Sequence, residues 1–262
     1  MPTFDSDGLN LAYDDISPQG GYERTVVLVH GFASNRIEGW KRTGWYAALE
    51  RKRVRCVALD QRGHGESAKP HEASAYERVK LAGDLINLLD HLKLGQVDLY
   101  GYSMGSRTVL AAALADPGRV GNLILGGVGD AMLTERAPTG GMSMAEAMLA
   151  DSAEAISEPM MKSFRQFADE QGEDRAALAA CTQVVNPAWN REELAGLQIP
   201  VLVVAGARDS LAGDPEALAA VFPYGKAAVL PGCDHFNAIP HGLTKAAVFD
   251  FLDGVEDDPW GR

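Results

Sequence analysis

The chain has 262 residues, 46% of them hydrophobic and 23% charged, with a formal net charge of −12. No apolar run approaches the roughly 20 residues that cross a bilayer, and the acidic balance argues against nucleic acid and anionic membrane surfaces as partners, since both need a basic face. Cys56, Cys181 and Cys233 are too few and too scattered for a disulfide framework or a zinc cluster, so each is expected as a small core hydrophobe and no metal is expected.

The length suits one α/β domain carrying an insertion. Met1-Pro2-Thr3-Phe4-Asp5 lacks the basic-then-apolar order of a secretory signal, and a cytoplasmic location is expected. Phe4 to Asp14 places a turn at Ser6-Asp7-Gly8 between two partly alternating segments, the pattern of an antiparallel hairpin at a sheet edge. Thr25 to Val29 is continuously apolar, as a strand buried on both faces must be, and runs into His30-Gly31-Phe32. Trp40 to Arg51 has helical spacing. Val54 to Leu59 reads as a strand, and the polar, glycine-rich turn Asp60 to Ser67 that follows it is placed to brace a site entrance.

Val79 to Leu92 repeats apolar residues at helical intervals (Val79, Ala82, Leu85, Ile86, Leu89). Val97 to Tyr100 is a strand that stops at Gly101-Tyr102-Ser103-Met104-Gly105, and Arg107 to Ala115 reads as an alanine-rich helix ended by Asp116-Pro117-Gly118. A strand turning at once into a helix forces the turn residue into strained φ/ψ, and flanking glycines leave room for it. Val120 to Leu125 is a further strand, closing on Gly126-Gly127-Val128-Gly129-Asp130.

From Asp130 to Ile199 the strand–helix alternation fails and the composition is helical. Residues 131–199 are therefore expected as a helical cap inserted into a core of residues 1–130 and 200–262. Six of the eight methionines fall there, with Phe164, Phe167 and Trp189. Methionine is flexible and polarizable, so such a cap suits an adaptable apolar pocket; Met132, Met144, Met148, Met161, Phe164 and Trp189 are its candidate lining, unless they pack the cap onto the sheet instead. The sheet resumes at Pro200 to Ala205 before Gly206-Ala207-Arg208-Asp209. A helix capped by Asp214 runs to about Phe222, and Ala227 to Leu230 is the last strand, before Pro231-Gly232-Cys233-Asp234-His235. A helix from Leu243 to Leu252 precedes the acidic tail Glu256-Asp257-Asp258. Strands alternating with helices imply a doubly wound, mainly parallel sheet.

Ser103, Asp209 and His235 each fall just beyond a strand end, and parallel strands bring such loops to one edge of the sheet. Ser, acid and His in that chain order, with Gly-Tyr-Ser-Met-Gly as elbow and His30-Gly31-Phe32 after the early strand, resemble the α/β-hydrolase superfamily over nearly the whole stretch from Thr25 to Leu252. Asp60 to Ser67 is similar to the D-x-R-G-x-G-x-S turn of its small esterase-like branch. Ser106, where a third glycine often stands, and Asp234, where glycine often precedes the histidine, depart from the commonest form.

The resemblance implies Ser103 as nucleophile, His235 as general base and Asp209 as its orienting acid, with the backbone N–H groups of Phe32 and Met104 as oxyanion hole and no cofactor. Asp130, at the end of the preceding strand, is an alternative acid, while His30, His64, Asp98 and Asp234 read as structural. The serine argues against epoxide hydrolases and dehalogenases of this fold, which use an aspartate. The expected activity is hydrolysis of a small, mostly apolar carboxylic ester through an acyl-enzyme; lactonase, thioesterase, carbon–carbon hydrolase and perhydrolase chemistry are alternatives, and a non-catalytic ligand receptor is a further one.

Overall fold

In the computed structural model, which describes residues 1–135 and 141–255, the order of the strands decides where the loops meet. The strands are β1 (Thr3–Ser6), β2 (Leu9–Ile16), β3 (Arg24–Val29), β4 (Val54–Leu59), β5 (Val97–Tyr102), β6 (Val120–Gly126), β7 (Val201–Gly206) and β8 (Gly225–Leu230). They lie in the order β1-β2-β4-β3-β5-β6-β7-β8; β1 pairs with β2 and β2 with β4 antiparallel, and the rest of the sheet is parallel. The chain steps from β3 outward to β4 and then back across β3 to β5, so the loops leaving β3 and β5 part there and open a crevice at the carboxyl ends of the strands.

Continuous apolar sequence gives strands that bury both faces. Val27 and Val29 of β3 and Val57 and Leu59 of β4 pack with α2 (Arg78–His91), α3 (Met104–Ala115) and α8 (Pro215–Ala219). Their alternate neighbours Val26, Leu28, Cys56 and Ala58 pack with α1 (Trp45–Arg51) and α9 (Gly242–Leu252) on the opposite face. The N-terminal hairpin turns on Asp7 and Gly8, both at positive φ (51° and 81°), which matches the right-handed twist of its strands.

Among the described residues, four α-helices fall between β6 and β7: α4 (Met144–Leu149), α5 (Pro159–Gln171), α6 (Arg175–Gln183) and α7 (Arg191–Ala195). The first three gather around a separate apolar cluster that also takes in Ala33 from the loop after β3 and the half-buried Phe32 and Leu211. The two ends of the 131–199 stretch behave otherwise. Met132, Trp189, Leu194, Leu197 and Ile199 belong to the main cluster on the α2/α3/α8 face, and the Trp189 N–H donates to the Met132 carbonyl (3.2 Å).

Several elements differ from the reading of the sequence. The segment Trp40 to Arg51 is a π-turn (Ile37–Lys41) followed by α1, broken where Gly44 takes φ 81°. The helix after Asp214 stops at Ala219, short of Phe222: the N–H groups of Val221 and Phe222 tighten onto the Leu218 and Ala219 carbonyls (both 3.1 Å), and Pro223 then disfavours helical geometry at Phe222. Val79 is 72% exposed: at about 100° per residue it lies roughly 120° around α2 from Leu85, outside the buried stripe. Glu256-Asp257-Asp258 lie outside the described residues. Among the described residues no helix is long and apolar enough to cross a membrane.

α3 approaches the ends of β3 and β5 very closely. A Cβ at Gly105 would land on the carbonyls of Val29 and His30, and one at Gly101 on the Gly105 carbonyl and the Ser106 nitrogen. Backbone cannot yield as a side chain tip can, so Gly105→Ala is expected to cost about 2–3 kcal/mol of stability by overpacking. Urea denaturation measures it; a loss below about 0.5 kcal/mol would show that α3 can shift freely.

Candidate active site

β5 runs to Tyr102 and α3 starts at Met104, leaving Ser103 alone to make the turn. The helix thus begins three residues earlier than its composition suggested. Ser103 sits at φ 55°, ψ −111°, a conformation that costs a non-glycine residue roughly 1–3 kcal/mol and persists only when its surroundings enforce it. The enforcement is visible. The Ser103 N–H donates to the Gly126 carbonyl (2.7 Å), and the buried Ser106 hydroxyl lies 2.8 Å from both the Gly101 and the Gly126 carbonyls, tying the first turn of α3 to β5 and β6. A hydroxyl therefore stands where the resembling pattern often has glycine, and it finds two acceptors there.

The loops after β7 and β8 bring two further side chains to this edge. His235 Nε2 lies 2.9 Å from Ser103 Oγ, and His235 Nδ1 lies 2.7 Å from Asp209 Oδ2. Asp209 and His235 are buried while Ser103 keeps partial access to solvent. The other Asp209 oxygen accepts the N–H groups of Leu211 and Ala212 (3.0 and 3.1 Å), so the carboxylate is held rigidly with one oxygen left for the imidazole. The Tyr102 hydroxyl donates to the His235 carbonyl (2.6 Å). Asp130 is engaged elsewhere: its Oδ1 accepts the Asp214 N–H (2.8 Å) and its own N–H donates to the Asp214 carbonyl, pinning the acid-bearing loop to the end of β6. Asp234 accepts the N–H groups of Phe236 and Asn237, both at 2.9 Å, closing its own turn. Asp98 of β5 pairs with Asn122 of β6 on one side and Arg24 of β3 on the other.

Met104 is the first residue of α3, so its N–H has no acceptor within the helix and points out of the positive end of the helix dipole. The loop after β3 meets it from the other side: a Cβ at Gly31 would lie 3.4 Å from Ser103 Cβ, which sets Phe32 beside the serine.

Residues 24–155, half of the chain, match the family described as alpha/beta hydrolase fold. The chain belongs to this family. It is 29% identical over 240 residues to the dihydrolipoyllysine-residue acetyltransferase component of an acetoin cleaving system in Pseudomonas putida; the match takes in 87% of this chain and 62% of that protein. Two further curated relatives are spanned over 41% and 28% of their length. The 3-oxoadipate enol-lactonase 2 of Acinetobacter baylyi is 29% identical over 207 residues, 72% of this chain and 73% of that one. Among solved structures, a thermophilic esterase from Thermogutta terrifontis superposes with a TM-score of 0.74 at 26% identity, covering 97% of each chain. The enol-lactonase of Burkholderia xenovorans gives 0.76 at 23% identity, covering 96% of this chain and all of that one, a likeness of fold.

Behind the serine, this α/β hydrolase carries a buried polar network. His30 Nδ1–H donates to the Gly31 carbonyl (2.8 Å) and Nε2 accepts the Gln61 N–H (3.1 Å). The Gln61 side chain bonds the His30 carbonyl (2.7 Å) and takes the Thr108 hydroxyl (2.6 Å), joining the ends of β3 and β4 to α3. Asp60 accepts the N–H groups of Arg36 and Glu66 (2.7 and 2.9 Å) and pairs with the Arg36 guanidinium, while Arg62 makes a two-pronged bond to Asp84, both arms at 2.6 Å. The turn Asp60 to Ser67 thus clamps the loop that bears Phe32.

Over the serine, Phe164 of α5 meets Phe32 edge to face (5.8 Å between ring centres) and Phe236 at a tilt (5.4 Å), and Phe236 in turn meets the His235 ring (5.6 Å). Cys181 of α6 touches Met104, sulfur to sulfur at 3.7 Å, and burial pushes its thiol up to about 12. Of the six candidate lining residues, Phe164 stands in this arch, Met148 is wholly buried within the cap cluster, Met144 packs against it half-buried, and Met161 is half-buried on α5. Met132 and Trp189 are not over the serine. They pack into the main core, where the Arg78 guanidinium covers the Trp189 ring at 3.8 Å, because they sit where the insertion leaves and rejoins the sheet. Tyr102, Gln61, Thr108, Phe236 and Glu173 escaped the sequence reading. Tyr102 and Phe236 adjoin Ser103 and His235 and could have been marked on that ground; Gln61 and Thr108 could not, since their partners are tens of residues away.

Burial pushes His30 down to about 4 and His64 to about 3. A second proton on His30 would also face the Gln61 N–H that its Nε2 accepts. Both are neutral at pH 7. In the unfolded chain a histidine gains its proton near pH 6.5. Between that value and the folded values the unfolded state binds protons that the folded state cannot, so stability, complete above about pH 6.5, is lost as pH falls, by up to about 1.4 kcal/mol per pH unit for each histidine. Thermal unfolding between pH 8 and 5 is expected to show this decline, and His64→Gln to flatten it by about half; an unchanged slope in that variant would show that His64 is not the source.

Proposed function

We propose that the chain is a serine hydrolase that cleaves a small, mostly apolar carboxylic ester through an acyl-enzyme, with Ser103, His235 and Asp209 as its triad. The observation that carries the reading is the unbroken chain from Ser103 Oγ through His235 Nε2 and Nδ1 to Asp209, with contacts of 2.9 and 2.7 Å. A serine hydroxyl is a weak nucleophile on its own. As Oγ bonds to the ester carbonyl carbon, its proton passes to His235 Nε2, and Asp209 holds the imidazole in the productive tautomer and stabilises the imidazolium. The carbonyl oxygen becomes an oxyanion, received by the N–H groups of Phe32 and Met104, where each such donor is worth about 3 kcal/mol. Collapse breaks the bond to the alcohol oxygen, which leaves with the proton from Nε2. Water then gives a proton to His235, attacks the acyl carbon and releases the acid, and Ser103 recovers its proton.

The arch of Phe32, Phe164 and Phe236, with Met104 and Leu211, offers apolar and aromatic surface to an acyl group, which supports an uncharged substrate of modest size. A lactone is an ester closed on itself and is opened by the same atoms. The likeness to 3-oxoadipate enol-lactonase 2 over most of both chains makes lactone opening the second reading.

A fluorophosphonate probe is expected to add to Ser103, seen by intact-mass and peptide analysis, and Ser103→Ala to abolish both the adduct and turnover of p-nitrophenyl acetate with its fold intact. Silence of the folded wild-type protein toward the probe would favour a ligand receptor instead. Asp209→Asn is expected to lower turnover by about 10³–10⁴, with Asp130→Asn far milder. The reverse order would move the acid to the end of β6. Initial rates on a set of short acyl esters and lactones rank the two substrate readings.

A further inference from the structure

The cap touches the sheet edge through the aromatic arch and also through a buried carboxylate that the chemistry above does not use. Glu173 is 8% exposed. Its Oε1 accepts the Asn35 side-chain N–H (3.0 Å), and its two oxygens share the Gly65 N–H (3.1 and 2.8 Å). Asn35 lies three residues after Phe32, and its own Oδ1 accepts the N–H groups of Ile37 and Glu38, both at 3.0 Å, so the group that Glu173 grips is itself fixed. Gly65 lies in the turn after β4, at φ 54°, where a Cβ would collide with the Asp60 carboxylate and come within 2.9 Å of Asn35 Cβ. One side chain thus spans the cap and both loops of the sheet edge.

Its backbone leaves it little choice of direction. α5 ends on Gly172 in the left-handed region (φ 67°), and the Glu173 N–H returns to the Ala168 carbonyl (3.0 Å), the bond of a Schellman turn. Asp174 then caps α6, accepting the N–H groups of Ala176 and Ala177, both at 3.0 Å. Three residues, Gly172-Glu173-Asp174, therefore close the α5–α6 hairpin, and Glu173 is the one whose side chain enters the sheet edge. The nearby Asp174–His71 pair (3.0 Å) is largely exposed, and pairs of that kind contribute little. A carboxylate buried without partners is costly, so this position selects the geometry in which its hydrogen bonds are made. Burial raises the Glu173 carboxyl above the usual range, against the opposing pull of Asn35, Gly65 and Lys69.

We propose that Glu173 is a positioning residue: its carboxylate anchors the α5–α6 hairpin to the loops after β3 and β4 and so holds Phe164 between Phe32 and Phe236 over Ser103. The anchor follows from the contacts alone; its effect on substrate rests on the hydrolase reading given above. The length of the side chain is what matters. Glu173→Gln keeps the reach and one accepting oxygen, whereas Glu173→Asp keeps the charge but withdraws the carboxylate by one methylene.

Hydrogen exchange followed by mass spectrometry on the three full-length proteins tests it. Amides of residues 159–183 are expected to exchange about tenfold faster in Glu173→Asp than in wild type, while those of β5 and α3 stay protected and Glu173→Gln stays within about twofold of wild type. With p-nitrophenyl hexanoate, Glu173→Asp is expected to raise KM about fivefold with kcat within about twofold, and Glu173→Gln to restore KM. Unchanged exchange in Glu173→Asp, equal loosening in both variants, or a kcat loss without a KM change each overturns the proposal. If the wild-type protein neither turns over the ester nor takes the fluorophosphonate, the hydrolase reading falls, and the exchange comparison still decides the anchor.

Discussion

The first turn of α3 lies so close to the ends of β3 and β5 that a side chain at Gly101 or Gly105 would collide with backbone. From this contact the site follows. With the helix pressed against the sheet, the chain has a single residue in which to turn from strand to helix, and Ser103 makes that turn at positive φ with its Oγ facing His235. The same closeness leaves the Met104 N–H at the open end of the helix and brings Gly31 within van der Waals reach of Ser103. The strain at Ser103 is borne by neighbours with no other evident task, chiefly Ser106, whose hydroxyl braces the turn against the carbonyls of two strands.

Around this contact the sheet edge is held by buried polar groups that are for the most part hydrogen-bonded to one another. His30, Gln61 and Thr108 join two strand ends to α3, and Asp60 with Arg36 fixes the loop that carries Phe32. Such networks suit a site that must not move, because each lost partner would leave a buried donor or acceptor unpaired. They also depend on the neutral state of His30 and His64, so the stability of the platform is tied to pH.

The stretch between β6 and β7 is two things at once. Its ends, with Met132 and Trp189, extend the main core, while α4 to α6 form an apolar cluster that rests on Phe32, Ala33 and Leu211. The cap is therefore built onto the very loops that face the serine. Movement of α5 would displace Phe164 from Phe32 and Phe236, and with it the surface against which an acyl group would lie.

Local chemistry was legible in the sequence wherever it repeats along the chain. Mostly apolar runs announced β3 to β7, since strands covered on both faces admit few polar residues, and glycines around Ser103 announced a turn that only a close backbone approach would require. Strand ends placed Ser103, Asp209 and His235 at one edge of the sheet, and the resemblance to α/β hydrolases gave them their expected roles, with Asp130 left as an alternative acid. What tertiary structure alone decided is which distant groups meet. The strand order set the crevice at β3 and β5; it gave Asp209 to His235 and Asp130 to Asp214; it sent two of six cap candidates into the core and brought Glu173 to Asn35 and Gly65. Period and propensity are properties of neighbours in sequence, whereas these pairings lie from 26 to 138 residues apart and arise only when the sheet is assembled.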